Sequence, residues 1–439
     1  MNSRRTSHAR PLTLVMAAVA LVVAACAAAP ALSPAPTPMA APAPAAALPA
    51  RPAPVAAPAA PTAPATAQAE FVAPAPIRFE DAVTRAGRQL FRDAQAHLGN
   101  EPRLLVVDPL IDANTGGQTV STAKMGDELE SLAKKDFRSY AVTPLTRNTL
   151  STKPLLLIGT LTPVNVERSI DKQPDAFRVW LTLIDLRTGK VVAKALDRAT
   201  IESVNPEPLP FYRDSPTWHK DATIMGYINS CQVNTKIGNV ADPDYLSRLP
   251  AAAVINEAIL AYDDGKVPAA NRLYKEAQPI ADPGDLRVLN GLYITNWQLG
   301  RKEEARDAFG KLVSSGLELK RLPMKLLFQP GKTSFVTIGD LPVQYQIWIA
   351  SLAQQAGKAD SCVRVVGHTS RTGNARANET LSRQRAEVVQ RMRERDNRAL
   401  ASRLSSSGAG SKEALVGLGT DDQRDALDRR VEFRVVDCV

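Results

Sequence analysis

Histidine is scarce in this chain of 439 residues: there are four, among them His8 near the start and His97 on an expected helix. No second histidine stands at metal-ligand spacing from His368, so neither a metal nor a cofactor is expected, and His368 reads as a structural residue at a strand end. No serine or cysteine sits in a recognisable nucleophile elbow, which leaves no catalytic residues to assign and a non-enzymatic expectation. Cysteine is as rare, at four. Long apolar runs are missing too: the one at residues 12–25 is too short and too rich in small residues to favour a membrane-spanning helix. Asp108, Asp112, Asn114 and Thr115 offer oxygen ligands, but they lack EF-hand spacing and its terminal glutamate, and no lysine follows Gly116-Gly117 to make a phosphate loop. A turn after a strand is expected there.

What the leading stretch does contain is Arg4, Arg5 and Arg10 ahead of the apolar run, the pattern of a secretory signal over residues 1–25. After Val23-Ala24-Ala25 comes Cys26, and this arrangement resembles the bacterial lipoprotein box. The resemblance implies that Cys26 is acylated, with palmitate-type chains, and becomes the mature N-terminus. Ala27 in place of an aspartate implies the periplasmic face of the outer membrane rather than retention at the inner one. More than one acyl chain, at about 0.8 kcal/mol per buried methylene, makes a stable anchor. The rest of residues 26–76 is nearly all alanine and proline and holds a large share of the 33 prolines, so an extended, disordered tether is expected. Net charge is +9, which suits an acidic lipid or an anionic polymer; export removes nucleic acid from the candidates.

The remaining length exceeds one ordinary core and divides into blocks with different patterns, an α/β multidomain chain. Residues 77–218 alternate helix and strand, ending in the hairpin FRVWLTLIDLRTGKVVAKAL, whose Phe177, Val179, Leu181 and Leu183 share one face and whose turn holds Gly189. An α/β sandwich is expected. The phrases LLVVDPLIDANTGG, LLLIGTLTPV and LTLIDLRTGKVVAK resemble exported lipoprotein domains of the curli-secretion, flagellar-outer-membrane and penicillin-binding-protein-activator kind, which implies a scaffold or regulator with an envelope protein partner. Residues 219–249 read as linker. In 250–316, Tyr262, Gly265, Ala270 and Tyr274 recur 35 residues on as Trp297, Gly300, Ala305 and Phe309. The repeat resembles the tetratricopeptide kind, with small residues expected to let paired helices approach closely. Two copies are too few for a free solenoid, so this segment should lean on a neighbour; it reads as a helical spacer, since two repeats make little concave surface, with a peptide-binding groove as the alternative.

Residues 320–439 read as strand, helix (341–355), strand (363–368), helix (378–395), strand (414–418) and final strand (430–436), a βαβαββ order, with RLSSSGAGSKEALVGLG beginning as loop. Three cysteines remain beside Cys26. Cys362 opens one strand and Cys438 follows another, so if those strands are antiparallel neighbours a Cys362–Cys438 bridge is expected and Cys231 is the odd thiol.

This last block resembles the OmpA C-terminal-like, peptidoglycan-associated family. The matching residues are Phe328, Gly367-His368-Thr369, Gly373, Asn378, Leu381, Ser382, Arg385, Ala386, Gly419 and Arg429-Arg430-Val431-Glu432. The resemblance implies binding of the diaminopimelate zwitterion of a peptidoglycan stem peptide, with Thr369, Ser370, Asn378, Leu381, Arg385 and Arg429 as site residues. A guanidinium suits a carboxylate because its fork donates two parallel hydrogen bonds, and that role falls on Arg385. Asn378 also reads as a helix cap. Two positions depart from the family: Ser370 stands where it has aspartate, and Asp428 where it has asparagine. A neutral hydroxyl in place of that carboxylate weakens the contact by on the order of 1 kcal/mol unless Glu379 or Asp360 substitutes. The expected function is an outer-membrane-anchored periplasmic lipoprotein that ties the envelope to the wall. The alternative is a regulator or assembly factor that uses wall binding only for positioning.

Overall fold

A computed structural model describes residues 75–438 except 166–171, 233, 321, 359–361, 397–402, 421 and 423. Cys26, the signal segment, the tether and Asp360 lie outside the described residues. Among the described residues no helix is long and apolar enough to cross a membrane.

The first block begins with α1 (Phe79–Leu98), β1 (Arg103–Val107), β2 (Ile111–Asp112), α2 (Val120–Asp136), β3 (Tyr140–Val142) and α3 (Arg147–Ser151). The long strands β4 (Leu155–Val164), β5 (Ala176–Asp185) and β6 (Lys190–Ala199) follow. The strands form one sheet in the order β3-β1-β4-β5-β6, with β2 paired to β4. β1 runs parallel to β3 and β4, while β4, β5 and β6 form an antiparallel meander turning at Gly189, whose φ of 70° is left-handed. α1 and α2 cover one face, where Phe79, Leu90, Phe91, Met125 and Leu129 meet Leu105, Leu157, Leu181 and Leu183.

β4 is apolar on both faces, since Leu155 and Leu157 point one way and Leu156 and Ile158 the other. The second face therefore needs its own cover. That cover is the stretch expected as linker. The short α4 (Pro210–Asp214) precedes α5 (Ala222–Cys231) and the first half of α6 (Pro243–Asp263), which bring Ile224, Tyr227, Ile228, Cys231, Tyr245 and Leu249 onto Val106, Leu156, Ile158 and Ile184. Within 219–249, α5 and the start of α6 are thus a packed layer, and Cys231 is a buried free thiol whose pKa burial pushes up to about 11.

The recurrence of 35 residues falls on two helical hairpins, α6 with α7 (Val267–Ala277) and α8 (Leu286–Gln298) with α9 (Lys302–Glu318). Tyr262, Ala270, Tyr274, Trp297, Ala305 and Phe309 are buried in one cluster. The repeated glycines do a different job from the one expected: Gly265 and Gly300 have φ of 74° and 73° in the inter-helix turns, and an added Cβ at either would meet nothing within 4 Å. The close-approach glycine is Gly291, where a Cβ would sit 2.3 Å from the Tyr274 ring.

The last block is β7 (Leu322–Leu327), α10 (Leu341–Lys358), β8 (Cys362–Gly367), α11 (Ala375–Asp396), β9 (Leu404–Gly408) and β10 (Arg430–Val436). Its sheet order is β7-β10-β8-β9, with β10 antiparallel to β7 and β8, and β9 parallel to β8. The strand expected at 414–418 is loop, and the serine-rich segment expected as loop supplies β9. Small residues suit that strand because α11 lies almost against it: a Cβ on Gly408 would stand 2.5 Å from Ser382 Oγ and 2.6 Å from Arg383 N. Val436 pairs with Cys362, and a disulfide joins Cys362 to Cys438 with Cα atoms 5.1 Å apart.

The blocks share cores. One hydrophobic cluster runs from Phe211 through Tyr262 and Phe309 to Trp348 and Val431. Trp348 stacks on Phe309 with centroids 5.8 Å apart, and its Nε1 donates to Tyr293 OH at 2.6 Å. Lys325 N donates to Pro216 O, and Met324 bridges Thr217, so β7 is stitched to the loop after α4.

Candidate functional site

The junction of β8 and α11 gathers most of the expected site residues. Gly367 ends β8 with no room to spare: a Cβ there would lie 1.8 Å from Ser382 O, so glycine is what lets the helix press on the strand. The chain continues by pairing His368 N with Arg430 O and Thr369 N with Gly410 O. It then turns, with Ser370 Oγ and Thr372 Oγ1 hydrogen-bonded at 2.9 Å. Asn374 caps α11, accepting Arg376 N at 2.8 Å. Asn378 is therefore not the cap but sits inside the helix, where its Nδ2 donates to Ser370 O and Thr372 O and staples the turn.

Arg385 is wholly buried, 0 % exposed. Each of its three nitrogens donates to a backbone carbonyl at 2.9 Å: Nε to Lys332 O, Nη1 to His368 O and Nη2 to Gln329 O. The guanidinium also lies 5.3 Å from the Phe328 ring centroid. It thus buckles the turn after β7 onto the end of β8. A hydrogen bond to a charged group contributes about 1.5–3 kcal/mol. Three of the five guanidinium N–H donors are committed to these carbonyls. Arg385 in this arrangement holds the site's shape, and its surface is closed to solvent.

Thr369, Ser370, Asn378 and Arg429 are buried as well, and Leu381 is half-buried. Thr369 Oγ1 has no hydrogen-bond partner among the described residues. The Arg429 guanidinium donates to Asp422 O in the loop before β10, while its own carbonyl accepts Phe328 N at 2.8 Å. Glu379, a candidate substitute carboxylate, is exposed on α11.

His368 is buried between two carboxylates, with Nδ1 3.9 Å from Glu413 Oε2 and Nε2 3.8 Å from Glu432 Oε2. Burial first, then the charges of Arg430 and Arg434, push the imidazole well below its ordinary pKa, against the pull of Glu432. The ring is therefore neutral at neutral pH. Among the described residues no cluster of His, Cys, Asp and Glu could hold a metal ion.

One of the departures noted in the sequence, Asp428, has a structural answer, and it lies away from the β8–α11 junction. Asp428 accepts Leu415 N at 2.6 Å, Val416 N at 3.1 Å and Gly417 N at 2.7 Å. Burial raises its pKa, opposed by Arg430 and by these three donors. The loop it shapes docks on the first block: Asn114 Nδ2 donates to Leu415 O and Gln173 Nε2 to Leu418 O, both at 2.8 Å, and Val416, Leu418 and Leu427 join that block's core. Asn114 belongs to the turn in which Asp112 Oδ1 accepts Asn114 N, Thr115 N and Thr115 Oγ1, so the turn expected after the strand is there and also supplies a docking contact. Periodicity gives no signal for such an inter-block role; the aspartate in place of asparagine was the one available hint.

Residues 328–427 match the OmpA family. The chain carries an OmpA family domain over that stretch. No curated protein matches the chain. Solved structures similar to it include the peptidoglycan-associated lipoprotein from Burkholderia pseudomallei, at 22% identity over 26% of this chain and 89% of that one, TM-score 0.21. The cell wall anchor of the T6SS from Pseudomonas aeruginosa is similar at 23% identity over 26% of this chain and 76% of that one, TM-score 0.21. The periplasmic domain of Helicobacter pylori MotB (residues 90–256) is similar at 18% identity over 26% and 69%, TM-score 0.22.

Proposed function

We propose that this protein binds peptidoglycan non-covalently through its OmpA family domain and, through acyl chains on Cys26, ties the outer membrane to the cell wall. The observation that carries the reading is the family match over residues 328–427, set on a domain whose β8–α11 junction gathers Thr369, Ser370, Asn378 and Arg385. The ligand is a stem peptide bearing a diaminopimelate carboxylate. A chain of net charge +9 suits an anionic wall. The Ala/Pro-rich segment gives the domain reach from the membrane.

The test is cosedimentation of the full chain with purified sacculi. Retention in the pellet, and release by a soluble diaminopimelate-containing tripeptide, are the expected results; a chain that stays in the supernatant removes the reading. Labelling by palmitate, abolished in Cys26→Ser, tests the anchor separately.

One observation favours a second reading, in which wall binding positions a regulator or assembly factor. The wall-binding domain shares its core with the first two blocks, so whatever those blocks hold is fixed relative to the wall. In-cell crosslinking from residues 77–316 to a stoichiometric envelope protein would favour it.

A further inference from the structure

Two turns meet at one end of the first sheet and make a knob. Gly189 N donates to Asp185 O at 2.8 Å in the β5–β6 hairpin, and Asn239 N donates to Lys236 O at 3.1 Å in a tight turn whose third residue, Gly238, has a φ of 87°. A backbone ladder locks the second turn onto the edge of β6: Gly238 N donates to Val191 O at 2.8 Å, and Val191 N to Asn239 O and Ala241 N to Gly189 O, both at 2.9 Å. Ile237 stands at the corner of its turn, 52 % exposed, and Val240 beside Gly189, 53 % exposed. Arg187, Lys190 and Lys236 lie exposed on the same two turns. Of the neighbouring carboxylates, Asp185 accepts Arg103 and Arg187, and Asp242 caps α6, with Asp244 exposed next to it. A strand of ten residues at about 3.3 Å each puts this knob about 30 Å from the other end of β5, where Gln173 holds the loop of the OmpA family domain.

We propose that this knob rests on the surface of an anionic phospholipid bilayer, with Ile237 and Val240 entering the headgroup layer and Arg187, Lys190 and Lys236 meeting phosphates. The proposal goes beyond the wall-binding reading and does not depend on it. An apolar pair flanked by cations suits such a surface, because the aliphatic side chains gain by leaving water while the charges gain from the negative headgroups. Both residues sit on turns rather than lining a groove, which suits a deformable surface better than a shaped partner. The ladder fixes the turn before contact, so little ordering is lost on binding. The distance to the docked loop leaves the OmpA family domain clear of the membrane.

Flotation of residues 26–439 with Cys26→Ser, a parent chain that carries no acyl group, tests this on phosphatidylglycerol/phosphatidylethanolamine vesicles. The parent is expected to float with them, less so at high salt, and not with phosphatidylcholine vesicles. Ile237→Asp is expected to weaken the partition about tenfold and Lys236→Gln about fivefold. Ile338→Asp, at a residue 63 % exposed on the OmpA family domain, makes the same change of charge and is expected to float as the parent does. Thermal melting of Ile237→Asp should match the parent, and the Lys190→Gln, Lys236→Gln double variant gives a second readout that leaves the apolar pair in place. A parent chain that ignores anionic vesicles overturns the proposal, as does equal flotation with phosphatidylcholine. Equal loss in Ile237→Asp and Ile338→Asp overturns it too, by showing diffuse charge attraction. A vesicle-free dimer that Ile237→Asp dissolves would assign the knob to a second copy instead. Sacculus binding, measured separately, is untouched by any of these results.

Discussion

Trp218 Nε1 donates to Glu432 Oε1 at 2.9 Å, joining the loop before α5 to the last strand of the OmpA family domain. The same carboxylate oxygen accepts Arg430 Nε at 2.5 Å. Burial by itself raises a carboxyl, but the Arg430 charge, His368 and the hydrogen bonds from Arg430 and Trp218 outweigh it and hold Glu432 at about 2. A value depressed in the folded state stabilises the protein above the unfolded value of 4.5, and that contribution fades as pH falls from there towards about 2. Glu432→Gln should therefore cost on the order of 3 kcal/mol near pH 7 and progressively less below about pH 4. Urea midpoints of both proteins across that range check it; a gap that stays constant with pH would sink the ion-pair account.

Lys325 runs the other way. Burial pushes its ammonium down to about 7, with Asp214 opposing the fall and Arg213 adding to it. Its Nζ donates to Tyr212 O at 2.8 Å and lies 4.8 Å from the Trp218 ring centroid. The unfolded chain binds the proton up to 10.5, so folding stability should rise as pH climbs from about 7 towards that value. The slope from this group is at most about 1.4 kcal/mol per pH unit. Subtracting the pH profile of Lys325→Met from wild type isolates it, and a difference that does not change over that window contradicts the buried-amine reading.

Asp428→Asn restores the family's residue and should harm this chain. An amide oxygen can replace one carboxylate oxygen, but its NH2 then faces a backbone N–H, Gly417 N or Leu415 N. The expected loss is about 1–3 kcal/mol, with faster proteolysis within residues 409–420 as the loop lifts from Asn114 and Gln173. A variant as stable and as protease-resistant as wild type would show that the loop is held by its apolar contacts alone.

Gly367→Ala should destabilise by about 3 kcal/mol or more, because the new methyl group meets the backbone of α11 and not a side chain that can swing away. Thermal melting decides it. A loss below about 0.5 kcal/mol would mean that the helix can back away from β8 at little cost.

Much of the fold was legible in the residues. The period-two apolar pattern of β5 and the helical spacing of α1 locate those elements, and Cys362 and Cys438 flank strands that do lie antiparallel and adjacent. The GHT–N–LSxxR spacing located the family domain, whose match begins at Phe328. Misreadings came where a segment's partner lies far away in sequence. Residues 219–249 look like linker because the face they cover belongs to β4, while β9 looks like loop because its serines are chosen by the nearness of α11. Asn378 looks like a cap until the turn it staples is seen.

The sequence by itself determined the strongly periodic helices and strands such as α1 and β5, the family of the last domain and the charges its residues carry, since these follow from local periodicity and residue chemistry. Only the tertiary structure decided what each charge is spent on. Arg385 carries its charge in any fold, but three carbonyls converging from residues 329, 332 and 368 make it a buried brace. Asp428 is acidic in any context, yet its three donors exist only because the loop at 415–417 folds over it. Hydrogen-bond partners that distant in sequence leave no periodic trace, so their assignment had to come from the packed chain.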